Sequence, residues 1–418
     1  MALSDHAIGP LAGIRVLSFG NFVAGNSFAA MLAELGADVV KLESRERPDP
    51  VRMRFTADHE QVLEPSGAET TSLFAGLARS VRDLSLNMKA DGAANLLLGL
   101  VAAADVLFEN FGATVLTGWG ADWPTLHAIN PRLVMVSVSG YGRTGPRARY
   151  LAYGGNVSSF SGLTYLWGNS HGAIYDYIAA THASAAALAA LAARDHTGQG
   201  TYIDLGQVEV AAAMLASLML DQLNGGVDPP PPGNEVPGSW LSGVYRCKGP
   251  DRWVAVEVED ARGWSALCQL VGYLDAQAPD GYPDESARTE LSGCAGKWAS
   301  QLTDWQAARM AQRAGVAAAP VQDGEDLWRD PQLRWRHSIV PVTHPDLGTC
   351  EYPAPVHRMT RSPAMIRRHA PRLGQDSRAV LSEWLGIDDT EFDSLMAAGV
   401  VSTDDSIQQA PPHSPSPP

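Results

Sequence analysis

Residues 14–42 read IRVLSFGNFVAGNSFAAMLAELGADVVKL, and this stretch decides the fold. Residues 14–19 form a short apolar run of strand length. An apolar stripe at helical spacing follows over residues 27–35 and stops at Gly36, where a glycine can take the left-handed conformation that ends a helix. Residues 39–42 are a second apolar strand. Strand, helix, strand in this order implies a parallel pair joined by a right-handed crossover. The pattern then repeats, with strand candidates at 83–86, 105–108 and 133–137 and a helix over 93–103. The expectation is a doubly wound, mostly parallel, Rossmann-like α/β sheet, in which ligands gather at the carboxyl ends of the strands.

The segment 20–26 reads as the turn after the first strand. It lacks the GxGxxG pattern of a dinucleotide site, and no GxxxxGK[ST] occurs in the chain. Gly25 reads as a point where two stretches of backbone approach closely.

At 418 residues the chain exceeds one ordinary core. Composition shifts at Gly225 and Gly226 and at the four prolines 229–232, a run that neither a helix nor a central strand accommodates. Beyond it, a strand at 253–258 and helices near 264–271 and 298–313 suggest a smaller α+β unit. The organisation expected is a large α/β domain over 1–224, an inserted small domain over 225–330, a return to the large domain over 331–402, and a disordered Pro/Ser-rich tail over 403–418.

Composition narrows the function classes. With 45% hydrophobic and 18% charged residues the chain reads as soluble and globular, and its net charge of -15 disfavours a nucleic-acid partner. No apolar run reaches the length of a membrane span, and the N-terminus lacks a secretory pattern. The four cysteines form no CxxC, and the eleven histidines show no paired ligand spacing. A reduced, cytoplasmic protein without a bound metal is expected.

The stretch 173–205, AIYDYIAATHASAAALAALAARDHTGQGTYIDL, is the most chemically suggestive. Asp176 stands just ahead of an Ala-rich helix. It can cap that helix by accepting bonds from free backbone N–H groups. A carboxylate kept ionised beside a helix N-terminus in a water-poor cleft can also attack an activated acyl carbon. The residues alone leave both readings open.

Several motifs in fixed order resemble the family III CoA-transferases, which include the formyl-CoA and carnitine-CoA transferases. They are PLAGIRVL at 10–17, LAELGADVVKLE at 32–43, ADVLFENF at 104–111, NPRLV at 130–134, SGYGRTGP at 139–146, AGVAAAPV at 314–321 and APRLGQ at 370–375. The resemblance spans nearly the whole chain. It implies that Asp176 is the nucleophile that forms a covalent aspartyl intermediate. It also implies an interlocked homodimer, and CoA as a substrate rather than a tightly held cofactor.

By position, the resemblance puts CoA near Val23, Ala24, Arg45 with its neighbour Arg47, Leu86, Lys89, Asn110, Phe111, Gly112, Tyr141 and Arg143. Lys89 and Arg143 suit phosphates and Phe111 an adenine face. A short lid of Gly238, Trp240 and Gly243 stands where formyl-CoA transferase has a glycine-rich loop. The chain departs from the family at Asn26, Gly118 and Ser80–Arg82. Two further readings remain beside CoA transfer. One is a racemase of 2-methylacyl-CoA esters, in the same superfamily, whose second base, a histidine, falls on Tyr153 here. His171 and His182 are the nearby histidines that could replace it. The other is a CoA-binding protein without transferase activity.

Overall fold

The computed structural model describes residues 9–55, 61–62, 71–168, 172–226, 233–236, 238–273 and 281–404. The expected linker prolines 229–232, His171 and the tail from 405 lie outside the described residues. The chain divides into two units. The larger takes residues up to Gly162, the stretch ending at Gly225, and the chain from Arg336; the smaller takes Gly226–Trp335 with 163–169.

Six strands of the larger unit run parallel: β1 (Arg15–Phe19), β2 (Asp38–Glu43), β3 (Arg82–Leu86), β4 (Val106–Glu109), β5 (Val134–Ser139) and β6 (Thr201–Gly206). Their order is β3-β2-β1-β4-β5-β6, and Val401–Ser402 adds an antiparallel edge to β3. This is the doubly wound order, whose connections reverse direction between β1 and β4. Apolar side chains from both sheet faces are buried, as parallel sheets require. Helix α1 (Phe22–Glu34) and the later α4 (Ile174–Thr197) supply Phe28, Leu32, Ala179, Ala183 and Ala187 to one core layer. Helix α2 (Ala93–Ala103) and the helix Ser377–Leu385 supply Leu97, Leu100, Leu381 and Trp384 to the other.

The start of α1 differs from the sequence reading. Residues 22–26 are already helical, so the strand passes into the helix without an open loop. The cause is a close contact between Gly20 and Gly25, where a Cβ on Gly25 would lie 2.3 Å from the Cα of Gly20.

A buried charge cluster ties the C-terminal return to this sheet. Arg52 donates to Glu43 at 2.8 Å, to Asp83 at 3.2 Å and to the carbonyl of Pro371 at 2.9 Å. The Gly374 N–H donates to Asp83 at 2.6 Å. Burial opposes ionisation of Glu43, but Arg52 and Lys41 outweigh it and hold the carboxyl down at about 2. Burial and the Glu43 charge push Asp83 well above the usual carboxylate range. Two buried cations, Lys41 and Arg52, thus face three buried carboxyl groups, Glu43, Asp49 and Asp83.

The smaller unit has a three-stranded antiparallel sheet, Ala317–Pro320, Trp253–Val258 and Leu241–Arg246, over a core that includes Trp264, Leu267, Leu291 and Ala307. The helix expected at 298–313 is two helices, Glu285–Ala299 and Asp304–Arg313. Thr303 divides them, because its hydroxyl accepts from the Gln306 N–H in a reciprocal capping box. No helix among the described residues is long and apolar enough to cross a membrane.

Candidate active site

The reversal between β1 and β4 leaves a crevice at their carboxyl ends, and two asparagines frame it. The Asn21 N–H donates to Asn110 Oδ1 at 2.9 Å, and Asn110 Nδ2 donates to the Asn21 carbonyl at 2.8 Å. Beside them Phe22 sits at φ 57°, a left-handed conformation that costs a non-glycine residue about 1–3 kcal/mol. Buried Asp49 holds it there by accepting the Phe22 N–H at 3.0 Å. Asp49 also accepts from Asn26 Nδ2 at 2.7 Å and pairs with buried Lys41 at 2.8 Å, while Lys41 donates to the Gly20 carbonyl.

A cavity of about 410 Å³ opens over this framework. Its walls are Asn21–Val23, residues 110–113 after β4, residues 138–140 at the end of β5, and residues 148–154 leading into helix α3 (Gly154–Phe160). Asp176 and Gln207 complete it. Asp176 lies within the first turn of α4 rather than ahead of it. The residue in the N-cap place is Ala173, which makes no side-chain cap bond, so the capping reading fails. The Asp176 carboxylate instead turns to the cavity, and its Oδ1 accepts from Gln207 Nε2 at 2.8 Å. Gln207 is buried in the first turn of helix α5 (Gln207–Met214), directly after β6. Burial pushes the Asp176 carboxyl above its ordinary value, and the Gln207 bond partly offsets that. The sequence expectation of a carboxylate favoured by its helix terminus is thus corrected, since desolvation dominates.

Of the other expected contacts, Val23, Asn110, Phe111 and Gly112 line this cavity together with Asp176, whereas Ala24 is buried and is not a wall residue. Tyr141 packs edge-on against Tyr150, a cavity residue, at 5.9 Å and against Phe160 at 5.2 Å. Leu86 is a core side chain, 2% exposed, which corrects its expected CoA contact. Lys89 is exposed beyond β3, and Arg45 and Arg47 stand in the turn after β2; none of the three lines the cavity.

Arg143 is also redirected. Its guanidinium pairs with buried Glu109 at the end of β4, and both line a separate hollow of about 160 Å³ with Trp123 and Tyr202. Burial raises the Glu109 carboxyl and Arg143 pulls it back. Tyr153 lines the main cavity, its ring edge-on to Phe22 at 5.6 Å. His182 is exposed on α4 and is not a wall residue.

The expected lid needs correction as well. Gly243 belongs to the strand Leu241–Arg246, opposite Val256, because antiparallel pairing continues through it. The Trp240 N–H donates to Val258 O at 2.8 Å, and its ring packs edge-on to Trp264 and Tyr282 within the smaller unit. Gly238 alone keeps an open, exposed conformation, at φ 86°.

Sequence reasoning missed Phe22, Arg149, Gly154 and Gln207 as wall residues. Gln207 had a usable signal, being a polar residue just past the carboxyl end of a parallel strand. Phe22 had none, because its conformation depends on Asp49.

Comparison with known proteins agrees with this architecture. The chain is similar to "Probable CoA-transferase Rv1866" of Mycobacterium tuberculosis, 30% identical over 410 residues, 93% of this chain. The chain spans about half (50%) of that protein's length. It is also similar to the succinyl-CoA–D-citramalate CoA-transferase of Chloroflexus aurantiacus, 29% identical over 404 residues, 94% of this chain and 98% of that one. A solved CAIB/BAIF family protein from Brucella suis shares the fold, with a TM-score of 0.79 at 23% identity over 90% of this chain and 100% of that one. The family model for CoA-transferase family III matches residues 11–377, and over that span this chain belongs to CoA-transferase family III.

Proposed function

We propose that the protein moves CoA from an acyl-CoA thioester to a carboxylic acid through covalent intermediates on Asp176. The observation that carries this is the Asp176 carboxylate, turned into the crevice where β1 and β4 diverge and fixed there by Gln207. A carboxylate oxygen attacks the donor thioester carbon, the carbon–sulfur bond breaks, and CoA leaves as its thiolate. The thiolate attacks the aspartyl carbon of the resulting anhydride, which frees the donor acid and leaves aspartyl-CoA. The acceptor carboxylate then attacks aspartyl-CoA and expels the thiolate again. The thiolate takes the acceptor acyl group from the second anhydride and regenerates Asp176. No net proton transfer is needed, so the site requires no general base.

The thioester end of CoA lies in the cavity, and Phe111, which the sequence suggested as an adenine face, is an apolar wall beside Asp176 instead. The nucleotide extends along the carboxyl ends of β2 and β3 toward Arg45, Arg47 and Lys89, which rise from the same edge of the sheet. Lys89→Ala should weaken CoA binding roughly tenfold or more. A homodimer in the cytoplasm is the assembly and compartment this reading carries. Proton exchange by a racemase is less well supported, because Tyr153 occupies the second-base position and no histidine is among the described wall residues.

The test is a single-turnover incubation with acyl-CoA followed by hydroxylamine or borohydride trapping. An adduct on the Asp176 peptide is expected, and its absence during active transfer would favour direct exchange. Rapid wash-in of deuterium at the α-carbon of a 2-methylacyl-CoA would favour the racemase.

A further inference from the structure

Two residues in the wall of the Asp176 cavity carry a charge, Asp176 itself and Arg149. The remaining lining side chains are aromatic, aliphatic or neutral polar, among them Phe22, Phe111, Tyr150 and Tyr153. Arg149 is exposed, and among the described residues no carboxylate pairs with it. Neighbouring arginines differ in this respect. Arg143 is neutralised by Glu109, and Arg147 lies over the Phe160 ring at 5.1 Å.

A ligand that fills this cavity takes water from the guanidinium, and a desolvated cation needs an anionic partner. Under the reaction proposed above, the reacting carboxyl of the substrate cannot serve throughout. It is a neutral thioester in the donor, a neutral anhydride when joined to Asp176, and an anion only in the free acid. A second carboxylate, away from the reacting carbon, stays charged in all three states. It also leaves the reacting carboxylate free as a nucleophile. We propose that Arg149 binds the distal carboxylate of a dicarboxylic acyl group, so that the enzyme selects dicarboxylic acids and their mono-CoA esters. This inference rests on the aspartyl mechanism and names the substrate class for that site. The planar guanidinium suits bidentate pairing with a carboxylate, which an ammonium does not reproduce.

The experiment compares succinyl-CoA with butyryl-CoA, which match in chain length and differ in the distal carboxylate, on wild type, Arg149→Ala and Arg149→Lys. Wild type is expected to favour succinyl-CoA at least tenfold in kcat/KM. Arg149→Ala should lose roughly ten- to a hundredfold with succinyl-CoA and little with butyryl-CoA, with CoA affinity unchanged. Arg149→Lys should recover only part of the loss. Equal losses with both donors, together with weaker CoA binding, would mean that Arg149 meets a CoA phosphate and would overturn the proposal. Unchanged kinetics in Arg149→Ala would reduce it to a surface charge and overturn it equally. Trapping of the Asp176 peptide in wild type is scored separately. Failure to label from either donor counts against the aspartyl mechanism, whereas labelling without discrimination counts against Arg149 alone.

Discussion

Gly154 and Asp176 touch so closely that a methyl group on Gly154 would lie 2.8 Å from Asp176 Oδ2, and 2.3 Å from the Gly172 carbonyl. The first residue of α3 is thus a floor beneath the carboxylate. Gly154→Ala meets both the backbone at 172–173 and the Asp176 side chain, so moving Asp176 alone does not relieve it. Overpacking of this kind costs about 1–3 kcal/mol. Turnover should fall by more than tenfold, since misplacement by an ångström is enough to lose the attack geometry. Steady-state kinetics and thermal melts check this, and normal turnover would show that Asp176 tolerates displacement.

Burial raises the Asp176 carboxyl in the folded state above its unfolded value. Between those two values the native state holds more protons, so this group's contribution to stability falls as pH rises through the window and stays unfavourable above it. Asp176→Asn should therefore abolish transfer while raising the melting temperature at neutral pH. The gain should vanish below about pH 4, near the ordinary aspartate value. Because the nucleophile must be ionised, removing its hydrogen-bond donor in Gln207→Leu should move the acid limb of the kcat/KM profile to higher pH. An unmoved limb would separate Gln207 from the titration.

Arg143 and Lys89 looked equivalent in the sequence and should behave differently. Arg143→Ala leaves Glu109, 2% exposed, as a buried carboxylate without its guanidinium. Losing one partner of such a pair costs about 3–5 kcal/mol. A large drop in the denaturation midpoint is expected for Arg143→Ala, and weaker CoA binding on an intact fold for Lys89→Ala. Urea titration and calorimetry with CoA distinguish the two.

Asp49 acts at a distance from the cavity. Asp49→Ala removes the nearer carboxylate of buried Lys41, leaving it the Gly20 carbonyl and Glu43 at 4.0 Å, and removes the acceptor of the Phe22 N–H. Stability should fall by about 3–5 kcal/mol. At temperatures where the variant stays folded, KM for acyl-CoA should rise, because Phe22 is free to leave its left-handed conformation. An unchanged KM would show that Phe22 holds its place without Asp49.

Local periodicity carried much of the architecture. The strand positions near residues 15–19, 38–43 and 106–109 and the helix at 93–103 were legible because apolar spacing and glycine stops act within one element. The family resemblance pointed to Asp176, Val23, Asn110, Phe111 and Gly112, and the fold brings these five around one cavity. Other properties depend on residues far apart in the chain. The beginning of α1 depends on how closely Gly20 meets Gly25. The orientation of Asp176 depends on Gln207, 31 positions later, and Arg143 is drawn to Glu109, 34 positions earlier. Leu86 carried the same apolar label whether it faced a ligand or the core. Apolar periodicity records which face of an element is buried, whereas desolvation, charge pairing and left-handed backbone are set by neighbours that only the folded chain brings within a few ångströms.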